Sequence, residues 1–164
     1  MEILERLLEV PDNSILVFSQ FTSFLARIKL ELDKHGWEYY SLDGQTPMNK
    51  RREMVEDFQN GEKRLFLSSL KAGGLGINLT RANYVIMLDP WWNPAIENQA
   101  ADRAHRLGQQ RCVSVIRLIS QHTIEEKILR MHEKKQSMSD DVLDGTADSS
   151  KLTYDDILEM VAPY

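Results

Sequence analysis

The chain has 164 residues, of which 42% are hydrophobic and 27% are charged, and its formal net charge at pH 7 is −5. This composition is typical of a soluble globular domain, and no apolar run approaches the roughly 18 residues that a membrane-spanning helix needs. Glu2, Glu5 and Arg6 interrupt the apolar region that a signal peptide would require. The single cysteine, Cys112, excludes an internal disulfide and a cysteine-based zinc site, and its strand-like surroundings predict a place in the core.

Strand-like and helix-like patterns alternate along most of the chain. The predicted helices cover residues 1–10, 21–35, 47–58, 93–108 and 123–136. The predicted strands cover residues 15–18, 37–42, 65–67, 84–88 and 113–119. This alternation predicts an α/β fold, a three-layer α/β/α sandwich with a mostly parallel sheet, in which ligands bind at the carboxyl ends of the strands.

The C-terminal part differs in charge from the rest. Residues 139–164 carry seven acidic residues and one basic residue, whereas residues 1–138 carry 18 acidic and 19 basic residues. The polar stretch 137–150 is predicted to be a mobile linker, followed by a last short helix through about residue 161. We therefore divide the chain into a domain at 1–136 and an acidic tail at 137–164. The near-neutral domain leaves room for a local basic face that binds nucleic acid.

The predicted helix that begins at Asn93 carries two arginines one turn apart. Asn93 suits the N-cap, Pro94 the first helical position and Gly108 the stop. The apolar stripe consists of Ile96, Ala100, Ala104 and Leu107, and the polar face of Gln99, Asp102, Arg103 and Arg106. Spacing alone leaves two interpretations open. Asp102 can pair with Arg106 on a solvated surface, or the two guanidinium groups can grip phosphate oxygens.

Polar groups also follow the first and third strands. Ser19 and Gln20 end the first strand, where they either contact a ligand or close a local turn. Ser69 and Lys71 precede a glycine-rich loop whose backbone N–H groups can converge on an anion. A loop that needs glycine only for its shape is the alternative.

Two further segments are candidates for nucleic-acid contact. Asp43 begins a turn that ends at Thr46, and the basic run 50–52 follows it; these groups suit phosphate, although such a run is more often a solvated face. Trp91 and Trp92 precede the Asn93 helix, and either both pack in the core or one is exposed.

Five stretches resemble, in the expected order, the motifs of the second lobe of Swi/Snf-type ATPases, the chromatin-remodelling and DNA-translocating branch of helicase superfamily 2. The last is Gln99-Ala-Ala-Asp-Arg-Ala-His-Arg-Leu-Gly-Gln109. The others are Ile15-Leu-Val-Phe-Ser-Gln-Phe21, Leu42-Asp-Gly-Gln-Thr46, Ser69-Leu-Lys-Ala-Gly-Gly-Leu-Gly-Ile-Asn-Leu-Thr80 and Asp89-Pro-Trp-Trp-Asn-Pro94. Ordered motifs are far more specific together than singly. The resemblance covers about residues 1–136 and implies a RecA-like lobe.

The resemblance also implies roles for individual residues. It makes Arg103 and Arg106 the catalytic residues, as arginine fingers directed at ATP. The residues implied on the nucleotide side are Gly74, Gly76, Gln99 and Asp102. The residues assigned to DNA are Ser19, Gln20, Thr46, Ser69, Lys71 and Trp92. No metal ligand is assigned within this chain, because ATP and Mg²⁺ are expected to be bound mainly by the first lobe.

Two sequence motifs of a complete motor are absent from the chain. It contains no Gly-x-x-x-x-Gly-Lys-Ser/Thr loop and no Asp-Glu-x-His stretch. In the family both belong to the first lobe, so the isolated chain is expected to be inactive. The expected partners are the N-terminal RecA-like lobe of the same protein, double-stranded DNA, and a DNA-bound protein that is remodelled or displaced, with no membrane. The expected location is intracellular: cytoplasm or nucleoid in a bacterium or archaeon, and nucleus in a eukaryote.

Two other classes remain open. One is a catalytically inert DNA- or protein-docking module with the same fold, against which the two arginines argue. The other is an unrelated small-ligand-binding α/β domain, which would carry a phosphate loop near its N-terminus, and the sequence has none there.

Overall fold

The computed structural model describes residues 1–73, 78–91, 93, 95, 97–98, 104 and 112–141, apart from the side chains of residues 71, 73 and 134–141. The strands are β1 (Ile15–Ser19), β2 (Tyr39–Leu42), β3 (Leu65–Ser69), β4 (Tyr84–Met87) and β5 (Ser114–Arg117). The helices are α1 (Glu2–Leu8), α2 (Thr22–Lys34), α3 (Met48–Asn60), α4 (Leu70–Gly73) and α5 (Ile124–Asp141). A further helix begins after Asn93, and its described helical residues are Ala95, Glu97 and Asn98. We call it the Asn93 helix.

The described strands form one parallel sheet in the order β2-β3-β1-β4-β5. In its register Ile15 of the central strand lies beside Leu65 and Tyr84, and Ser19 lies beside Ser69. Because the strands run in one direction, the segments that follow them emerge together at one side, which we call the carboxyl edge. The predicted parallel α/β sheet is confirmed.

Alternate residues of the central strand contribute to two hydrophobic cores. Leu16 and Phe18 pack in a cluster with Phe58 of α3. Ile15 packs in a second cluster with Leu25 of α2. Since successive side chains of a strand point to opposite faces, the two clusters lie on opposite faces of the sheet. The predicted three-layer arrangement is therefore confirmed.

Side-chain hydrogen bonds tie together the opposite, amino edge of the sheet. Asn83 Nδ2 donates to Asn13 Oδ1 at 2.8 Å, and the Ser14 backbone N–H donates to Asn83 Oδ1 at 2.8 Å. Arg64 donates to two backbone carbonyls at and just after the end of α1, at 2.8 and 3.1 Å. We call these four residues the amino-edge latch (Asn13, Ser14, Arg64 and Asn83).

The last helix is longer than the sequence predicts. α5 extends to Asp141, so the predicted helix end at residue 136 is wrong. The polar residues 137–141 continue the helix and do not begin a linker. The predicted helix in the tail lies outside the described residues. Within the part of the chain that the structure describes, no helix is both long and apolar enough to cross a membrane.

Two local predictions also differ from the structure. Cys112 is exposed, so its predicted place in the core is wrong. It precedes β5, which among the described strands pairs with β4 alone and lies at the end of the sheet, where Ser114 and Val115 are exposed as well. Residues 68–73, predicted as the first part of the glycine-rich loop, instead complete β3 and form α4.

Candidate functional site

One buried carboxylate, Asp89, joins the ends of β1 and β4 at the carboxyl edge. The Gln20 backbone N–H donates to both of its oxygens, at 2.9 and 3.2 Å. Ser19 Oγ lies 3.2 Å from Asp89 Oδ2 and 3.3 Å from the Phe21 carbonyl oxygen, so its single proton can bond to either. Gln20 Nε2 donates to the Pro90 carbonyl at 3.2 Å. These bonds hold the segment after β1 against the segment after β4.

The environment of Asp89 disfavours its charged form. Only 3% of the residue is exposed. Burial raises the pKa of Asp89 above the ordinary value, although the hydrogen bonds from Ser19 and Gln20 act in the opposite direction. The nearby carboxylate of Glu125 raises the pKa further by repulsion. We call the bonded group of Ser19, Gln20 and Asp89 the Asp89 clasp. It places a carboxyl group with a raised pKa beside a segment that is predicted to contact DNA.

The two predicted serine contacts are buried within the fold. Ser19 is fully buried, and its Oγ also accepts the Phe21 backbone N–H at 3.0 Å, which is the local turn bond that the sequence left open. Ser69 is 5% exposed, and its Oγ accepts the Ala72 backbone N–H at 3.3 Å. Ser69 thus caps α4, whose backbone includes Lys71. Both hydroxyl groups shape the loops that carry their neighbours.

The turn after β2 is closed by its own side chains. Asp43 Oδ1 accepts the Gln45 backbone N–H and the Thr46 hydroxyl, both at 3.0 Å, and Thr46 Oγ1 accepts the Asp43 N–H at 3.1 Å. Burial would raise the pKa of Asp43, but the bonds from Thr46 and Gln45 outweigh it and hold that pKa below its ordinary value. The predicted turn and cap role of Asp43 agrees with this geometry.

Arg51 lies beneath this turn. It is 8% exposed, its Nε donates to the Thr46 carbonyl at 2.7 Å, and its Nη2 donates to the Asp43 carbonyl at 2.9 Å and the Gly44 carbonyl at 3.3 Å. Its Nη1 is buried and has no hydrogen-bond partner among the described residues. The sequence places Arg51 in a basic run that suits phosphate. In the structure its guanidinium instead supports the turn that presents Thr46.

The start of the Asn93 helix is fixed by two side chains. Asn93 Oδ1 accepts the Ala95 N–H at 3.0 Å, which confirms the predicted N-cap. Glu97 Oε1 accepts the Trp91 backbone N–H at 2.7 Å, and Glu97 Oε2 accepts Arg117 Nε at 2.9 Å. Glu97 is 1% exposed. The first turn is therefore bonded to the segment after β4 and to the end of β5.

Only part of the predicted site lies among the described residues. Ser19, Gln20 and Ser69 meet at the ends of the neighbouring strands β1 and β3, and Thr46 follows the next strand, β2. The backbone of Lys71 is described and its side chain is not. Seven predicted residues lie outside the described part of the chain: Gly74, Gly76, Trp92, Gln99, Asp102, Arg103 and Arg106. From the predicted apolar stripe Ala104 is described, and it is fully buried in the core cluster that contains Leu16.

Sequence reasoning missed four side chains that organise this edge: Arg51, Asp89, Glu97 and Arg117. Asp89 stood in a quoted motif and Arg51 in a basic run, so the sequence carried a signal for both. The sequence contains no such signal for Glu97 and Arg117, because their ion pair joins segments that are distant in the chain. Among the described residues, no group of three His, Cys, Asp or Glu side chains could hold a metal ion.

Comparisons with known proteins agree with this arrangement. The model of the family described as the helicase conserved C-terminal domain matches residues 1–108. DNA repair protein RAD5 of Cryptococcus neoformans var. neoformans is 44% identical over 151 residues, which are 91% of this chain and 13% of that protein. Transcription termination factor 2 of Drosophila melanogaster is 40% identical over 153 residues, which are 92% of this chain and 14% of that protein.

A solved structure shares the fold as well. The crystal structure of the C-terminal part of the Fun30 ATPase domain matches with a TM-score of 0.76 and 34% identity, over 96% of this chain and 46% of that chain. The chain belongs to the family of helicase conserved C-terminal domains. Its relatives place it more narrowly, as the RecA-like C-terminal lobe of a Swi/Snf-type ATPase. It spans only about an eighth of the length of the curated relatives quoted above.

Proposed function

We propose that this chain is the second motor lobe of a Swi/Snf-type DNA-dependent ATPase and translocase. One observation supports this most: the segments after β1 and β4 are clasped together by Asp89, and the Asn93 helix begins directly after that clasp. A predicted DNA contact, Gln20, and the helix that precedes the two arginines in sequence are thus joined at one edge of the sheet. Such an edge is where ligands of open parallel sheets bind.

We propose that ATP and Mg²⁺ are held mainly by a first lobe. When bound there, ATP supplies the phosphoanhydride bond whose cleavage drives the motor. The described carboxyl edge offers a donor for phosphate oxygens, because Gln20 Nε2 carries a second proton besides the one it donates to the Pro90 carbonyl, whereas the Thr46 hydroxyl already donates to Asp43. On the nucleotide side we assign Gly74, Gly76, Gln99 and Asp102, from the family resemblance alone.

The catalytic contribution of this lobe is assigned to Arg103 and Arg106. Their guanidinium groups would hold the β- and γ-phosphate oxygens as negative charge spreads over them. An arginine finger can contribute about 10³–10⁵ in rate, which corresponds to roughly 4–7 kcal/mol of barrier. The N-cap of Asn93 and the two bonds of Glu97 support this assignment, since they fix the direction in which the helix leaves the sheet.

The DNA contacts are assigned to the loops around the same edge. Lys71 and Gln20 would bind backbone phosphates directly, and Trp92 and Thr46 would lie against the same strand. Ser19 and Ser69 are buried, so we assign them to shaping these loops through their bonds to Asp89 and Ala72. Contacts to phosphate carry no sequence information, so this lobe would bind duplex DNA regardless of sequence.

The partners follow from the same assignment. They are the first RecA-like lobe of the same protein, double-stranded DNA and a DNA-bound protein that is moved or displaced. This motor would act inside the cell, and in the nucleus if the source is a eukaryote. An inert docking module is the second candidate, and the named activities of the relatives do not favour it.

ATP hydrolysis, measured with and without duplex DNA on this chain and on the full-length protein, tests the proposal. We expect the isolated chain to be silent and the full-length protein to be stimulated by DNA. A full-length protein that is silent under both conditions, yet binds DNA, would replace the motor by the docking module. Turnover by the isolated chain would contradict the assignment of the ATP site to the first lobe.

A further inference from the structure

Glu97 is a buried acidic residue for which packing gives no reason. It is 1% exposed, and an apolar side chain of similar volume would fill the same space without the cost of burying a charge. Both of its oxygens are used. One accepts the Trp91 backbone N–H at 2.7 Å and the other accepts Arg117 Nε at 2.9 Å. These two bonds are directional, so they fix an orientation in a way that packing alone does not.

The bonds of Glu97 continue a path that begins at the DNA side of the edge. Gln20 donates from its backbone to Asp89 and from its side chain to the Pro90 carbonyl. Trp91 follows Pro90 directly and donates to Glu97. A change in the position of Gln20 is thus connected through two hydrogen-bonded steps to the first turn of the Asn93 helix.

Arg117 gives this turn a second anchor. It ends β5, and β5 pairs with β4 along its whole length, from Tyr84 beside Ser114 to Met87 beside Arg117. The side chain of Arg117 is 37% exposed, whereas that of Glu97 is 1% exposed. Glu97 is therefore held between the segment after β4 and the neighbouring strand, so the helix start moves with this side of the sheet.

We propose that Glu97 is a positioning residue that couples DNA contact at the β1 end to the placement of Arg103 and Arg106. The inference rests on the proposed motor function and deepens it. DNA bound at Gln20 fixes the position of the segment from Asp89 to Trp91. Glu97 in turn fixes the start of the Asn93 helix against that segment, so that the arginines that follow in sequence reach the phosphates. Without Glu97 the lobe still binds DNA, but the arginines are misplaced.

The first test uses the full-length protein with Glu97→Ala, which removes both bonds, and Glu97→Gln, which keeps an oxygen for the Trp91 N–H. A misplacement of catalytic groups by about 1 Å can cost about 10²-fold in rate. We expect the DNA-stimulated kcat to fall at least about tenfold in Glu97→Ala and less in Glu97→Gln, with KM for ATP and Kd for duplex DNA within about twofold of wild type.

Arg81→Ala is the matched control. Arg81 Nε donates to Ser14 Oγ at 3.1 Å, so the variant also loses a side-chain hydrogen bond, but at the amino edge. Thermal unfolding of all variants measures how much structure each change loses. We expect Arg81→Ala to lower Tm and to keep the wild-type ratio of DNA-stimulated to basal turnover. An equal loss of kcat in both alanine variants would overturn the positioning role.

Hydrogen exchange without nucleotide provides a second readout. Adding duplex DNA to the wild-type protein should slow amide exchange in the β1 end and in residues 89–98. In Glu97→Ala the β1 end should still be protected, whereas residues 93–98 should not. Protection of residues 93–98 equal to wild type would overturn the inference while leaving the motor function intact. A wild-type protein that shows neither stimulation nor protection by DNA would instead overturn the proposed function.

Discussion

Arg51 allows a structural role and a DNA-binding role to be separated by one pair of variants. Arg51→Ala removes two short hydrogen bonds, from Nε to the Thr46 carbonyl and from Nη2 to the Asp43 carbonyl, and a longer one to Gly44. Hydrogen bonds to a charged group contribute about 1.5–3 kcal/mol each, so the two short bonds together contribute about 3–6 kcal/mol. The buried guanidinium and its unpartnered Nη1 offset part of this. We expect a net loss of about 2–4 kcal/mol in the free energy of unfolding.

Arg52→Ala is the control for Arg51→Ala, because it removes the same charge from an exposed neighbour on α3. Its free energy of unfolding should stay within about 0.5 kcal/mol of wild type. Urea denaturation of this chain at pH 7, followed by circular dichroism, measures both changes. In the full-length protein, Arg51→Ala should weaken DNA binding only indirectly, because the turn that presents Thr46 becomes less well held.

One result would refute this reasoning about Arg51. If Arg51→Ala and Arg52→Ala unfold at the same urea concentration, and Arg51→Ala reduces the salt dependence of DNA binding by a full phosphate contact, Arg51 binds phosphate directly. The turn would then be held by the Asp43 and Thr46 side chains alone.

Three further predictions concern the same edge. Asp89→Asn should lower the free energy of unfolding most at low pH. Because the pKa of Asp89 is raised in the folded state, its contribution to stability is fully present below the unfolded-state pKa of about 3.9 and is lost as the pH rises through the folded-state pKa. Urea denaturation between pH 3 and 7 measures this, and a loss of stability that grows with pH would contradict it. Arg106→Ala in the full-length protein should abolish ATP turnover and leave DNA binding nearly intact; lost binding with normal turnover would exclude the finger role. Lys71→Ala should lower DNA affinity and reduce the slope of log K against log salt by about 1; an unchanged slope would argue against a phosphate contact.

The fold was predictable because its signals are local. The apolar run at Ile15 and the alternation of strands with helices give the class and the sheet without any knowledge of distant contacts. Asn93 was predictable as an N-cap for the same reason, since capping depends on the next few residues. The exposure of Cys112 was not predictable in this way, because the place of β5 at the end of the sheet depends on strand order.

The candidate site was predictable only where a motif marked it. Ser19 and Ser69 were found, but their burial was not, because Asp89 is 70 residues away from Ser19 along the chain. Arg51 resembled its exposed neighbours in sequence and differs from them only in its tertiary contacts. Glu97 was assigned no role from the sequence, because nothing near it in the chain indicates that it pairs with Arg117.

The amino-edge latch has a practical consequence for following this motor at work. It joins the strand beginnings at the side of the sheet away from the proposed ligands, so a dye attached there would report movement of the lobe without touching either ligand. Glu38 is a suitable attachment point near the latch, because it precedes β2 and its side chain is 75% exposed, with a 4.0 Å pairing to Lys63. Energy transfer from that position to a dye on a first lobe would follow opening and closing in single molecules.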